Sequence, residues 1–416
     1  MIQDDKYSRP LSYYAWQRLK RNKLAISGLI VIVIAALVAV LGSLIRPDSS
    51  PHANDQKLSL GKKKPGFKIQ MLLIRKNKES ETQYFWKRMF FGGKESDYNS
   101  VPIFRYEFSG ADIIVEEYTG LNETYPGKKV NYHLADVLYP IDPDNKYQED
   151  GAGNITFFDI HRKQIKMPIS ELQKITEEKN IVQNTFWLGT DQFGRDMLSR
   201  LMAGTLVSLS VGLISVFISL VIGIMIGAVG GFFGGRTDDI VMWVINVVWS
   251  VPTLLLVIAV VFALGKGFWQ IFIAVGLTMW VETARVVRGQ VITLREKEFV
   301  EAGKALGFNN FRLIIKHILP NVMSPVIVIA ASDFASAILI ESGLSFLGIG
   351  LQPPMASWGR MIKEHYGFIM ADGAYLAILP GLAIMVMVLA FMLLGNGLRD
   401  ALDAKSMDAA KAPISS

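Results

Sequence analysis

EAGKALGFNNFRLIIKHILP, residues 301–320, is an amphipathic stretch between two long apolar blocks, and its reading decides the fold. Phe299, Ala302 and Leu306 recur at i, i+3 and i+7, which places them on one face of a helix over 297–306, with Lys297 and Glu301 at i, i+4. Gly307 follows as a left-handed C-cap, and Asn309 or Asn310 stands where the next segment needs its cap. That segment carries Phe311, Ile314, Ile315 and Ile318 on one side and Arg312 and Lys316 on the other, the pattern of a helix lying at a membrane surface and ending at Pro320. A short rigid helix feeding directly into a membrane span suits a docking element that passes force into the bilayer. An ordinary interfacial helix has the same composition.

The surrounding chain is that of a polytopic membrane protein: 51% of its 416 residues are hydrophobic and 19% charged, and the mean hydropathy is +0.31. Apolar runs at about 24–45, 206–230, 240–264, 268–284, 322–341 and 375–395 are long enough to cross a bilayer. The fourth is the shortest, because Trp280 and Glu282 close it. Six spans place Arg18 to Lys23, the seven basic residues of 285–321, and Arg399 with Lys405 on one side, which the positive-inside rule makes cytoplasmic. The formal charge of +6 therefore orients the chain rather than marking a nucleic-acid surface. The basic N-terminus resembles the start of a signal peptide, but the 22-residue run that follows is longer than a signal core and lacks a small-residue cleavage site, so a retained span is expected.

The expected organisation is a cytoplasmic N-terminus (1–23), helix 1 (24–45), an extracytoplasmic insertion (46–205), a core with helices 2–6 and the loop 285–321 (206–400), and a disordered cytoplasmic tail (401–416). In the insertion, Phe104, Tyr106 and Phe108 alternate with polar residues before Ser109-Gly110 and Ile113 to Val115, a hairpin pattern. Residues 155–160 are a further strand candidate, and 168–179 a short helix with Pro168 near its first turn. A small α+β domain follows. The chain has no cysteine, so no disulfide staples it.

The 301–320 stretch resembles the cytoplasmic loop of bacterial ABC-importer permeases, in which EAA, three residues, Gly, nine residues, Ile, any residue and Leu-Pro follow one another. Glu301, Ala302, Gly307, Leu319 and Pro320 match in register; Gly303 replaces the second Ala and His317 the Ile. WLGTDQFGRDMLSR (187–200), VGGFFGGRTDD (229–239), PTLLL (252–256) and ESGLSFLGIGLQPPMASWG (341–359) are similar to signature stretches of the dipeptide, oligopeptide and nickel permeases, of the second-permease type. The resemblance covers about 186–400 and the first span. It implies a fold of six transmembrane helices, all-α, that imports peptides across the bacterial cytoplasmic membrane. It also implies a homologous second permease, two cytoplasmic ATPases that bind ATP and Mg, and an extracytoplasmic binding protein. The family's connection between spans one and two is much shorter, so residues 46–185 inherit nothing from it.

Several polar residues lie where burial is costly. Asp333 in span five, Asn246 in span three and Glu341 near the outer end of span five are candidates for the translocation path or for bonds between helices. Asp191, Arg195 and Asp196, with Thr190 and Gly194, read as a hydrogen-bonded collar before span two, holding a gate or anchoring the helix. Thr237, Asp238 and Asp239 stand to cap span three, and Gly212, Gly223 and Gly227 allow close helix approach in span two. The sequence contains no GxxxxGK[ST], GxSxG or HExxH, and its five histidines lack zinc spacing. A non-catalytic subunit that binds no metal or cofactor of its own is expected. Alternatives are import of nickel or another small solute, and a membrane-anchored binding or sensing protein built on the insertion.

Overall fold

The computed structural model describes residues 11–79, 93–120, 127–142, 147–150, 152–265 and 267–402. Two compact units divide the chain: Met1–Ala39 with Gly204–Tyr366 and Ala377–Ser416, and Val40–Ala203 with Gly367–Leu376.

The first unit is helical. In chain order its helices are α1 (Leu11–Arg21), α2 (Lys23–Ile45), α3 (Met197–Phe233), α4 (Gly235–Trp249), α5 (Thr253–Leu264), α6 (Phe268–Arg295), α7 (Glu298–Ala305), α8 (Asn310–Leu347), α9 (Trp358–His365) and α10 (Tyr375–Leu402). Helices α2, α3 and α10 begin or end within the second unit. Among the described residues, α2, α3, α6, α8 and α10 are long and apolar enough to cross a membrane, and the pair α4 and α5 makes a sixth if counted as one span.

The third span expected at about 240–264 is broken within that range, its halves α4 and α5 meeting at 92°. Pro252 is the cause: it has no N–H to donate, disfavours helical backbone at Val251, and itself adopts φ −53°, ψ 125°. A second correction concerns the segment expected to end at Pro320. The chain instead runs as one 38-residue helix from Asn310 to Leu347, with a wide turn over Leu313–Ile318 that leaves Pro320 in the first turn of the regular helix, where a missing N–H breaks no bond. Ala401 and Leu402, expected in the tail 401–416, belong to α10; residues 403–416 lie outside the described residues.

Helix α6 explains why the least apolar span can exist. Gly223, Gly227 and Gly231 form a stripe on α3, and a Cβ at each would lie 2.6 Å from Thr283 Cβ, 2.4 Å from Ala284 O and 2.7 Å from Arg288 O respectively. The two backbones thus approach closely, and most of the membrane-spanning part of α6, from Ile271 to Val291, is buried against other helices. A helix facing protein rather than lipid does not need uniform apolarity. At the other end of the chain, Gly28 lets α2 lie on Ala390, and Ala25 packs against Gly397. Leu19 of α1 joins Ala25 and Ala401 in the same cluster; the amphipathic α1 was not anticipated in the segment 1–23.

In the second unit, β1 (Phe67–Arg75), β2 (Tyr98–Ser109), β3 (Asp112–Glu117), β4 (Lys129–His133) and β8 (Ile181–Phe186) form an antiparallel sheet in the order β4-β3-β2-β1-β8. A smaller sheet has the order β5-β6-β7, from Gln148–Asp150, Asn154–Phe158 and Gln164–Pro168. The alternation read at Phe104 to Phe108 lies on β2, paired with β3 as a hairpin. Leu72, Ile103, Ile113, Val115, Phe157 and Leu172 form the buried core. The helix expected over 168–179 is regular only over Ile169–Ile175. It opens into a wide turn at Thr176–Asn180, where the Asn180 amide donates to Leu73 O (2.7 Å) and Val137 O (3.1 Å) and so ties the helix end to the sheet.

Strands β1 and β8 are direct neighbours, with Phe67 opposite Phe186, so the segment between them starts and finishes at one place. A segment of this kind can fold independently of its host. Residues 57–194 expressed alone are therefore expected to give dispersed amide spectra and a cooperative thermal melt. A non-cooperative melt would contradict the assignment.

Candidate functional site

The loop between α6 and α8 is built from caps. Helix α7 ends at Gly307, which has φ +76°. The N–H of Phe308 donates to Gly303 O (3.0 Å) and that of Gly307 to Lys304 O (2.9 Å), the two bonds of a Schellman stop. Asn309, rather than Asn310, then caps α8, its side chain accepting from Arg312 N at 2.8 Å. The departure of Gly303 from the family pattern has a local reason. A Cβ there would come within 2.7 Å of Leu313 Cδ2 and 3.3 Å of Phe308 Cδ2, so α7 sits close on the first turns of α8.

This loop rests on an apolar cluster: Val300 and Leu313 pack with Phe232 of α3, Val287 and Val291 of α6 and Val322 of α8. The face carrying Phe299, Ala302 and Leu306 points the other way. Leu306 is 73% exposed and Phe311 70%, and Glu301, Ala302 and Lys304 are exposed beside them. Sequence periodicity had grouped these residues; only the structure says that Val300 and Gly303 are the inward pair. His317, at the family's Ile position, stacks on Phe308 at 5.5 Å, while the Arg312 guanidinium lies 4.0 Å from the same ring. Leu319 is half-buried and Pro320 exposed.

The polar span residues have separate surroundings. Asp333 is 3% exposed and accepts from the Thr283 hydroxyl of α6 at 3.5 Å. Asn246 is exposed on α4. Glu341 is fully buried, and Ser345 Oγ donates to it at 2.7 Å; the same hydroxyl accepts from Leu351 N (3.3 Å). The chain there turns at Gly348, φ +84°, and α9 returns onto α8 with Gly359 so near Ser342 that a Cβ would lie 2.2 Å from its carbonyl oxygen. Trp358 fits against Gly204 of α3 in the same way. The 341–359 stretch is thus a packed hairpin end around a buried carboxylate.

In the second unit the expected collar is assembled. Asp191 accepts from Phe193 N (2.8 Å) and Arg195 N (3.0 Å) and pairs with the Arg195 side chain; Arg200 stands 3.8 Å away. Asp196 accepts from Ser199 N at 2.8 Å, and burial raises its pKa against the lowering effect of those Ser199 bonds. Lys63 N donates to Thr190 Oγ1 (2.9 Å), Arg195 reaches Asn54 (3.2 Å) and Asp48 N donates to Ser199 Oγ (2.9 Å). The collar therefore grips residues 48–63. Gly189 and Gly194, both at positive φ, sit against Lys63 O and Lys57 O so tightly that no side chain fits.

The sequence reading missed one group. Asp238 does not cap α4, whose first turn has no side-chain cap; it receives a two-pronged bond from Arg288, both contacts 2.5 Å. Arg295 Nη1 donates to Gly231 O (3.2 Å) and Phe232 O (3.3 Å), carbonyls at the C-terminal end of α3. The signal in the sequence is two arginines seven residues apart on α6, Arg288 and Arg295.

Residues 219–407 match the family model described as the binding-protein-dependent transport system inner membrane component, and residues 11–64 the N-terminal transmembrane domain of oligopeptide transport permease C. That second match reaches beyond the first span into the segment the collar grips. The chain is 41% identical over 233 residues to the dipeptide transport system permease protein DppC of Bacillus subtilis, covering 56% of this chain and 73% of the relative. It is 40% identical over 219 residues to the glutathione transport system permease protein GsiD of Pectobacterium atrosepticum, covering 53% and 72%. The oligopeptide transport system permease protein OppC of Bacillus subtilis gives the same figures, 40% over 219 residues, 53% and 72%. Among solved structures, a chain of the inward-facing MetNI methionine ABC transporter aligns at TM-score 0.42 and 17% identity over 50% of this chain and 98% of its own.

The contact at Asp333 is open to test. Asp333→Asn keeps an acceptor for Thr283 and is expected to melt close to the parent. Asp333→Leu removes it and is expected to lose about 1–2 kcal/mol, read as a lower melting temperature. Parental stability in the Leu variant together with altered transport in the Asn variant would contradict a bond between helices and favour the translocation path.

Proposed function

The chain belongs to the inner-membrane components of binding-protein-dependent transport systems, and we propose from this that it is one permease subunit of an ABC importer for di- or oligopeptides. The curated relatives support the cargo class: their names specify dipeptides, oligopeptides and glutathione, itself a short peptide. In this reading a homologous second permease completes the pathway, an extracytoplasmic protein delivers the solute, and two cytoplasmic ATPases bind ATP and Mg. The chain itself performs no covalent chemistry. Nickel or another small solute is the alternative cargo.

The observation that carries the coupling role is the outward apolar face of α7. Phe299 and Leu306 are exposed on a helix whose opposite side is seated on the cluster shared by α3, α6 and α8. An exposed apolar face on a well-held helix suits a protein partner. Glu301, Ala302, Gly303, Gly307, Leu319 and Pro320 would form the ATPase-coupling loop, with Arg312 and Lys316 at the headgroups. Counting α4 and α5 as one crossing gives six spans, keeps the three basic clusters on the cytoplasmic side with both termini, and puts the sheet-containing unit outside. Asp191, Arg195 and Asp196 then act as the anchor of the outer segment rather than as the gate itself. Asn246 remains the candidate for the path or for the second permease, and Glu341 a structural carboxylate.

Gly307→Pro cannot adopt the positive φ of the cap, and Glu301→Arg reverses a charge on the docking helix. Both variants are expected to insert at parental abundance yet lose co-purification of the ATPase and solute uptake. Parental ATPase binding and uptake in both would contradict the role.

A further inference from the structure

The hairpin GGFFGGRTDD, residues 230–239, joins α3 to α4, and nothing in the docking role explains its charge pattern. Two arginines of α6 hold its two sides. Arg288 makes a two-pronged pair with Asp238 in the first turn of α4, with the two side chains 23% and 19% exposed. Arg295 supplies donors to the carbonyls of Gly231 and Phe232, which the end of α3 leaves without helical partners. Gly234, at φ +67°, leaves room for that guanidinium; a Cβ there would lie 2.7 Å from Arg295 Nη1. A third arginine of the same helix, Arg285, stacks 3.5 Å from the Trp249 ring at the far end of α4. Helix α4 is thus held to α6 at both ends.

The position of these contacts along α6 matters. Arg295 is the last residue of α6, and Lys297, two residues later, is the cap of α7. The glycine stripe already lays α3 against α6 as far as Arg288 and Val291. A displacement of α7 therefore enters α6 at the residue that grips α3, and passes Arg288 one turn-pair earlier, where α4 is gripped.

We propose that Arg288 and Arg295 are positioning residues that make the 230–239 hairpin move as one body with the docking helix, so that ATPase closure reaches α3 and α4 as well as α8. The proposal rests on the docking reading of α7. An ion pair with two parallel bonds, backed by apolar packing, resists separation and keeps orientation, which a single lysine contact would not.

The absence of cysteine allows spin labels to be placed freely. In the assembled transporter, labels at Arg236→Cys and Lys304→Cys report hairpin against docking helix, and labels at Lys304→Cys and Leu389→Cys report docking helix against α10. With ATP and vanadate, the 304–389 distance is expected to shift while the 236–304 distance stays constant. In Arg288→Ala, or in Asp238→Asn should that variant not assemble, the 236–304 distance is expected to change or broaden. The exchange Asp238→Arg with Arg288→Asp is expected to restore it. A 236–304 distance that changes in the parent, or stays constant in the single variant that assembles, would overturn the clamp. A 304–389 distance unaffected by ATP and vanadate, while the complex hydrolyses ATP, would overturn the docking reading beneath it.

Discussion

The close approach of α3 and α6 is the constraint from which the helical unit follows. At Gly223, Gly227 and Gly231 the missing side chains let one backbone lie on the other, with virtual Cβ contacts between 2.4 and 2.7 Å. In a bilayer, where lipid is as apolar as leucine, such contact gives helix pairing its specificity. Because α6 is enclosed, it can carry Thr283, which meets Asp333. Its end brings Arg288 and Arg295 to the hairpin after α3. The same end launches the docking helix onto the Val300 and Leu313 cluster. A bulky residue in the stripe would disturb all of these at once.

The second unit is organised by a different rule. Its larger sheet brings the two ends of its own segment together, because β1 and β8 are paired neighbours. The preceding segment is held at residues 187–200, where two glycines at positive φ lie against Lys57 O and Lys63 O, Thr190 and Ser199 accept from Lys63 N and Asp48 N, and the Asp191 carboxylate fixes the turn itself through Phe193 N and Arg195 N. This accounts for the density of Gly, Asp and Arg in that stretch: it serves a backbone junction, which side-chain chemistry alone would not have required.

Much of this was legible because it is local. The Gly307 stop and an asparagine cap follow from i to i+5 hydrogen bonding, and the β2–β3 hairpin from alternation around Ser109-Gly110. The helix at 168 was also visible, though its early opening at Thr176 depends on Asn180 finding Leu73 and Val137, residues distant in sequence. The 92° break was not expected, since the run from Ile240 to Leu264 carries no charge and few polar residues, and periodicity does not register the backbone restriction that Pro252 imposes. Arg288 was counted as a loop charge because its partner, Asp238, lies 50 residues away. Which side of α7 faces inward likewise depends on Phe232 and Val291, which no pattern within α7 encodes.

The central claim is that the exposed side of α7 meets another protein while its buried side belongs to this chain's core. A photo-crosslinking side chain at Leu306, compared with one at Val300, in the assembled and ATP-hydrolysing transporter measures this directly. The account predicts crosslinks from position 306 to an ATPase subunit and from position 300 only within this chain. Equal crosslinking from both positions, or none to the ATPase from position 306 in an active complex, would contradict it.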